Sequence, residues 1–193
     1  MKTTILWVLI IGSLLPSELL ASQYGCTVLL CLANPSSNGG PKGIAECVPT
    51  INQLYDDLEH DRPFPTCDLA DGNDGSSYAQ LVYDPYDPCP ASLVPVQKQT
   101  AVMEGNAESF YNNGTIANYT FNGDAQISEL QNGSARACVG KLLGHTRHSI
   151  QSSRGTQYMV AVNVYDQVIW QPWQSPSAIN VYIDSQFHNR VHY

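Results

Sequence analysis

The first apolar run lies at the start of the chain. Residues 5–15 (ILWVLIIGSLL) carry no charge, follow Lys2, and are succeeded by Ala21, a small residue suited to cleavage. This order is typical of a secretory signal peptide. The run is too short for a membrane-spanning helix, which needs about 20 apolar residues. We therefore predict a signal peptide over residues 1–21, with an uncleaved anchor as the alternative.

Two further segments carry a hydrophobic pattern before residue 68. Residues 26–33 (CTVLLCLA) are apolar and fit either two turns of helix or a buried strand, because so short a run does not distinguish them. Pro49 is suited to a first helical position. After it, one apolar stripe at helical spacing is formed by Ile51, Leu54, Tyr55 and Leu58. A Gly- and Pro-containing loop, residues 34–43, separates the two segments.

The second half of the chain carries β signals. Residues 115–121 and 124–128 flank Asn122-Gly123, a cue for a type I′ hairpin. Residues 158–170 (YMVAVNVYDQVIW) are rich in β-branched and aromatic residues and are predicted as one strand. Before these strands, residues 97–111 are a helix candidate.

A second hairpin is predicted at the end of the chain. Residues 178–184 and 187–191 are β-favouring and flank Ser185-Gln186. We expect an antiparallel sheet in this carboxy-terminal third.

Composition narrows the class of partner. Nine Lys and Arg face 17 Asp and Glu, which gives a net charge of −8 without any basic run. Nucleic acids and anionic lipids attract Lys- and Arg-rich surfaces, so neither is expected as the main partner. After signal cleavage no later stretch is apolar enough to span a membrane.

Six cysteines lie beyond the predicted cleavage site, at positions 26, 31, 47, 67, 89 and 138. An even number in an exported chain predicts disulfides, because the compartment is oxidising. If both amino-terminal segments are helices, they form a hairpin that favours Cys31–Cys47 at one end and Cys26–Cys67 at the other. Cys89–Cys138 then remains. If residues 26–33 are instead a strand, this pairing loses its basis.

The cysteine-rich segment resembles a known family. CTVLLCLANPSSNGG, Glu46-Cys47, the helix INQLYDDL and RPFPTCD are similar to the pattern of the TrbM/KikA proteins. Those are exported accessory proteins of plasmid conjugation systems. The resemblance covers residues 26–67, about a fifth of the chain. It implies a periplasmic or secreted protein that acts by binding proteins of the cell envelope.

The sequence offers no catalytic residue. The motifs G-x-S-x-G and H-E-x-x-H and the P-loop are absent. Carboxylates that could do acid/base work include Glu46, Asp56, Asp57 and Glu59, and the last three are interpreted as the solvated face of a helix. An exported enzyme or toxin acting on the cell wall, or an unrelated secreted interaction domain, remains the alternative function.

No metal or cofactor is predicted. The histidines and oxygen-bearing side chains that invite a metal interpretation are read as solvated polar positions, namely His145, His148, His188, His192, Asp68, Asp71, Asn73 and Asp74. The loop that contains Asp71 lacks the ligand order of an EF-hand.

An aromatic patch is the candidate interaction surface. Trp170 and Trp173 straddle Gln171-Pro172, where a strand must end or become an edge. Exposed aromatic rings are enriched at interfaces. Tyr165 and Tyr182 are proposed as neighbours, and a role of both tryptophans in the core is the alternative.

These patterns together predict an α+β protein. A disulfide-stapled helical hairpin over residues 22–67 is followed by a loop-rich and then antiparallel β region over residues 68–193. The two parts are expected to form one compact domain.

Overall fold

The structure, a computed structural model, describes residues 18–70, 74–112, 115–151 and 155–193, and side chains within 23–70, 74–106, 120–151 and 155–193. Most of the predicted signal peptide therefore lies outside the described residues. The chain groups into two compact units. The first comprises residues up to Gln80 together with Asn180–Val191, and the second comprises Leu81–Ile179 and His192–Tyr193.

Two helices begin the first unit. Helix α1 spans Glu18–Leu32 and helix α2 spans Cys47–Glu59, two residues earlier than Pro49 indicates. The helical alternative for residues 26–33 is thus correct. Ile51 and Leu54 of the predicted stripe are fully buried. Neither described helix is long and apolar enough to cross a membrane.

The loop between the helices is organised by Asn34. Two short 3-10 turns, Ser36–Asn38 and Gly40–Lys42, form it. The buried Asn34 amide donates to the carbonyls of Asn38 and Gly40 and accepts from the Asn38 amide at 2.9 Å. One side chain therefore satisfies backbone groups on both turns.

Two disulfides staple the helical hairpin, as predicted. Cys31–Cys47 joins the end of α1 to the start of α2, and Cys26–Cys67 joins α1 to the segment after α2. The Cα atoms of the second pair are 4.3 Å apart. Gly25 permits this approach, because a Cβ there would lie 1.8 Å from the Thr66 carbonyl oxygen.

A polar contact also joins the two helices. The Tyr24 hydroxyl donates to Asp57 Oδ2 at 2.9 Å, and the Arg62 guanidinium pairs with Asp57 Oδ1. The hydrogen bond from Arg62, together with that from Tyr24, lowers the pKa of the Asp57 carboxyl. Burial, together with the bond to Asp57, raises the pKa of Tyr24. The hairpin therefore contains a three-residue network in addition to its disulfides.

The remaining regular structure is β. The described strands, β1 to β11 in chain order, are Tyr78–Tyr83, Val94–Pro95, Ala101–Asn112, Thr115–Phe121, Gln126–Ile127, Arg136–Val139, Leu142–Gln151, Gln157–Tyr165, Val168–Gln171, Ser177–Ile183 and Gln186–His192. Most described pairs are antiparallel. The predicted class, a stapled helical hairpin followed by a mostly antiparallel β-rich part, is confirmed.

Two sheets belong to the second unit. One has the order β4-β3-β8-β7 with β5 also paired to β3, and the other has the order β2-β6-β9. Strands β3 and β8 run parallel, with Val102 opposite Asn163. Because Met103 packs into one buried cluster with Val162, and Val102 into a second with Ala137, both faces of β3 are covered.

The third sheet has the order β1-β10-β11, and the division between the units falls inside these strands. The predicted terminal hairpin is confirmed, with its turn at Asp184-Ser185, one residue before the predicted position. Both turn residues have positive φ, 49° and 61°, as a type I′ turn requires. Within the first unit, Asn189 of β11 donates to the Leu32 carbonyl at the end of α1.

Three local predictions were wrong. Residues 97–111 are not a helix, because β3 is buried on both faces by strands from elsewhere in the chain. The strands around Asn122-Gly123 do not pair with each other, since β4 and β5 both pair with successive parts of β3. The strand predicted over residues 158–170 is divided after Tyr165, and β9 joins β6 in the other sheet of this unit.

Candidate binding cleft

Two loops rich in Pro and aromatic residues meet in the second unit. The first consists of Tyr83, the last residue of β1, and the residues Asp84-Pro85-Tyr86-Asp87 that follow it, and the second follows β9 and contains Trp173. The backbone N–H of Asp84 donates to the Pro176 carbonyl at 2.9 Å, and the backbone N–H of Gln174 donates to the Pro85 carbonyl at 2.8 Å. The Gln174 side chain also donates to Asp87 at 2.8 Å. These bonds hold the two loops side by side.

Tyr86 is the buried centre of this arrangement. Only 2% of its surface is exposed, and its hydroxyl donates to the Ser134 carbonyl at 2.7 Å. Its ring meets the Trp173 ring edge to face, with centroids 5.7 Å apart and an interplanar angle of 89°. Burial, with the charge of Glu129 nearby, raises the pKa of the Tyr86 hydroxyl. Tyr86 thus fixes the position of Trp173.

Arg136, at the start of β6, lies over the Tyr86 ring. Its guanidinium carbon lies 4.2 Å from the centroid of the Tyr86 ring. Its Nε donates to Glu129 Oε1 at 2.8 Å and its Nη1 donates to Asp84 Oδ2 at 3.1 Å. Because the Glu129 side chain is only 7% exposed, this pairing compensates a buried charge.

The backbone on one side of the cleft is held in an unusual conformation. Gln99 and Glu129 have φ values of 61° and 46°, in the left-handed region that residues other than glycine rarely adopt. The backbone N–H of Gln99 donates to the Ser128 carbonyl, and the backbone N–H of Glu129 donates to the Ala135 carbonyl. These bonds sustain a conformation that costs energy by itself. The Lys98 ammonium lies 3.5 Å from Glu129 Oε2.

The cleft itself has a volume of about 880 Å³. That volume is within the range of roughly 300–1,000 Å³ that is common for ligand sites. Tyr83 is 81% exposed and Trp173 is 38% exposed at its surface. The other lining residues are Asp84, Pro85, Tyr86, Lys98, Gln99, Glu129, Leu130, Gln131, Asn132, Arg136 and Pro176.

The third disulfide joins residues that are close in sequence to Tyr86 and Arg136. Cys89–Cys138 has the predicted pairing and joins the loop that carries Tyr86 to the strand that carries Arg136. All six described cysteines are therefore paired. The disulfide supports the cleft because it links the two chain segments that supply its buried centre.

The four aromatic residues proposed from the sequence have different neighbours. Trp170 and Tyr165 pack against the buried cluster of Val102, Ala137 and Val139. Trp173 alone of the four lines the cleft. Tyr182 stacks on Tyr78, with centroids 4.7 Å apart. Within the second unit, Trp173 therefore does not share a surface patch with Trp170 and Tyr165.

The cleft contains residues that the sequence analysis did not single out. Tyr86, Glu129 and Arg136 are separated by up to about 50 positions and meet only through the fold. One signal was present: Arg136 is a lone cation in the apolar strand RACV, in a chain with only nine Lys and Arg. Such a residue needs a buried anion, and this requirement points to a nearby carboxylate.

The four histidines considered as metal ligands contact other groups of the protein. His145 contacts the Asn163 amide oxygen at 2.8 Å, and His148 lies on the opposite face of the same strand, beside the Phe121 ring. His188 contacts the Ala33 carbonyl at 2.9 Å, and His192 contacts the Ser175 carbonyl at 2.6 Å.

No group of three or more His, Cys, Asp or Glu is placed to hold a metal ion within the described residues. Asp71 and Asn73, from the loop considered for calcium, lie outside the described residues. Of the carboxylates considered for acid/base work, Glu46, Asp56 and Glu59 are exposed. The interpretation of Asp57 as a solvated position was wrong, because it is only 8% exposed and pairs with Arg62.

Comparison of the chain with protein-family models, curated proteins and solved structures finds no match.

Proposed function

We propose that the protein is an exported accessory protein that acts by binding another protein, and that the cleft around Trp173 is its binding site. The observation that carries this proposal is the Trp173 ring, 38% exposed in the cleft and held edge-on by the buried Tyr86. An aromatic ring that is fixed before binding loses little conformational entropy when a partner covers it. Rings of this kind are enriched among the residues that contribute most to binding.

Export is supported by the disulfides. Three pairs are compatible with an extracellular or periplasmic protein, because cytosolic thiols are kept reduced. The type of system is proposed from the resemblance of residues 26–67 to the TrbM/KikA proteins. We therefore propose a role in plasmid conjugation or in a related type IV secretion system.

The alternative, an enzyme acting on the cell wall, requires a carboxylic acid directed at its substrate. Glu129 is the most buried carboxylate of the cleft. One of its oxygens binds Arg136 and the other faces Lys98, so both are engaged with cations. This arrangement favours a structural role for Glu129 and a binding role for the cleft.

The test is capture of the partner from the periplasm of donor cells that carry a conjugation system. The tagged, oxidised protein should retain an envelope component of the transfer apparatus, and Trp173→Ala should abolish this retention. Tyr158→Ala is the matched control, because Tyr158 is 42% exposed on β8, outside the cleft lining. Thermal unfolding establishes that each variant is folded.

Two results would oppose the proposal. If the wild type, Trp173→Ala and Tyr83→Ala retain the partner equally, the cleft does not take part in binding. Unchanged plasmid transfer after deletion of the gene would remove the role in conjugation.

A further inference from the structure

We infer that the cleft binds a neutral, proline-rich segment of its partner in the polyproline II conformation. This inference rests on the proposed function, because it names the partner segment for the same cleft. Proline-rich segments bind in grooves lined by aromatic rings, and the polyproline II helix is already ordered before it binds. The structure offers such a lining in Tyr83 and Trp173, with Pro85 and Pro176 in the same cleft.

The lining argues against a partner that binds as an added strand. Strand addition requires a row of unpaired backbone groups along a sheet edge. Three backbone N–H groups on the loops around the cleft, those of Asp84, Gln99 and Glu129, already donate to backbone carbonyls of the protein. These loops therefore offer no backbone ladder at the described positions.

The mixed polarity of the cleft argues against an amphipathic helix. A helix presents an apolar face and satisfies its own backbone, so it fits a groove that is apolar along its length. This cleft instead includes the side chains of Lys98, Gln99, Gln131 and Asn132, all of them exposed donors. A polyproline II segment has no internal hydrogen bonds, and its carbonyl groups can accept from such donors.

The charges of the cleft predict a neutral segment. Two carboxylates, Asp84 and Glu129, are balanced by two cations, Lys98 and Arg136. Phosphorylated and acidic motifs require clusters of arginine directed at the ligand. Arg136 does not meet this requirement, because its side chain is 18% exposed and pairs with both carboxylates.

The cleft is also rigid enough to select a preformed ligand. The bond from Tyr86 to Ser134, the Arg136 pairs and the Cys89–Cys138 disulfide fix its floor. The Trp173 ring, held by the Tyr86 ring, is then presented on a surface that does not need to reorganise. A stiff ligand on a stiff surface loses little entropy on binding.

The experiment measures binding of the oxidised full chain to a fluorescein-labelled (Ala-Pro-Pro)4 peptide by fluorescence anisotropy. The control peptide is (Ala-Gly-Gly)4, which has the same length and charge. We expect the proline peptide to bind at least about tenfold more tightly than the glycine peptide, and Trp173→Ala and Tyr83→Ala each to weaken it by about tenfold. Tyr158→Ala should change the affinity by less than about twofold.

Tyr83→Ala keeps the test valid if Trp173→Ala fails to fold, because Tyr83 is 81% exposed. Equal affinity for the two peptides would overturn the inference, as would binding that both cleft variants leave unchanged. A competition experiment gives a further test. If chitotetraose displaces a partner whose retention depends on Trp173, the cleft binds a glycan and the inference is overturned. If the proline peptide does not bind but capture of the partner still depends on Trp173, the inference fails and the proposed function stands.

Discussion

The Arg136 guanidinium carbon lies 4.2 Å from the centroid of the Tyr86 ring, while its nitrogens bind Glu129 and Asp84. A single side chain thus pairs two carboxylates and packs on an aromatic ring. Because arginine has a planar group with several donors, it can do all of this at once, whereas lysine cannot. Arg136 is therefore the residue on which the floor of the cleft depends most.

Replacement of Arg136 by Met should strongly destabilise the protein. The change leaves Glu129 buried without its closest cation, and loss of one partner of a buried pair costs about 3 kcal/mol. Urea unfolding measures the change in the free energy of unfolding. Arg147→Met is the control, since Arg147 is exposed on β7. The double variant Arg136→Met/Glu129→Gln should recover part of the loss, and equal stability of Arg136→Met and Arg147→Met would contradict the prediction.

Replacement of Gly25 by Ala should release the Cys26–Cys67 disulfide. In a helix this change normally stabilises by about 1 kcal/mol. Here the added Cβ would lie 1.8 Å from the Thr66 carbonyl oxygen, so α1 and the segment at Cys67 must separate. Thiol titration in denaturant should find two free thiols in a substantial fraction of the molecules. Gln23→Ala, an exposed change in the same helix, should leave none, and a Gly25→Ala protein that is fully oxidised and more stable would refute the argument.

The Asp57 network makes stability depend on pH. Hydrogen bonds from Arg62 and Tyr24 lower the pKa of Asp57 below its ordinary value. A carboxyl with a lowered pKa in the folded state stabilises the protein above its unfolded pKa of about 4, and this contribution is lost as the pH falls further. Urea unfolding should therefore give a larger free energy of unfolding for wild type than for Asp57→Asn at pH 6. The two values should approach each other as the pH falls to 2. A difference that is constant with pH would contradict this assignment.

The same network acts with the opposite sign at alkaline pH. The pKa of Tyr24 is raised in the folded protein, so its contribution is complete below the unfolded value of about 10 and is lost as the pH rises further. Between pH 9 and pH 11, wild type should lose stability more steeply than Tyr24→Phe. Parallel profiles for the two proteins would oppose this role of Tyr24.

The disulfides should differ in their contribution to stability. Cys89 and Cys138 are 49 positions apart, and Cys31 and Cys47 are 16 apart. Loop-closure entropy then gives about 4 kcal/mol for the first pair and about 3 kcal/mol for the second. Paired serine variants, compared by urea unfolding, should follow this order. A larger loss for the Cys31–Cys47 variant would show that local packing, rather than chain entropy, dominates.

Local features of the sequence were sufficient for the helical hairpin and the terminal β-hairpin. Once residues 26–33 and the stripe around Ile51 are helices joined by a short loop, geometry brings Cys31 to Cys47 and Cys26 to Cys67. The turn at Asp184-Ser185 likewise joins two strands that are adjacent in sequence.

Features that depend on distant parts of the chain were not predictable in this way. Strand β3 lacks a simple alternation because Val102 and Met103 are both buried, on opposite faces and against different strands. Trp173 is 38% exposed, and its support by Tyr86 involves residues 87 positions apart. Such contacts leave no periodic signal, since each depends on the packing of the whole unit.

The two disulfides of the helical hairpin are nested, because Cys31–Cys47 lies inside the loop closed by Cys26–Cys67. An exported chain enters the oxidising compartment from its amino terminus, so its thiols become available in the order 26, 31, 47, 67. An oxidant that joins each thiol to the one before it would first link Cys26 to Cys31. The native arrangement is then reached only by thiol–disulfide exchange through mixed intermediates. If the proposed export is correct, we expect recombinant production to give more native protein in a host compartment that supplies a disulfide isomerase as well as an oxidant.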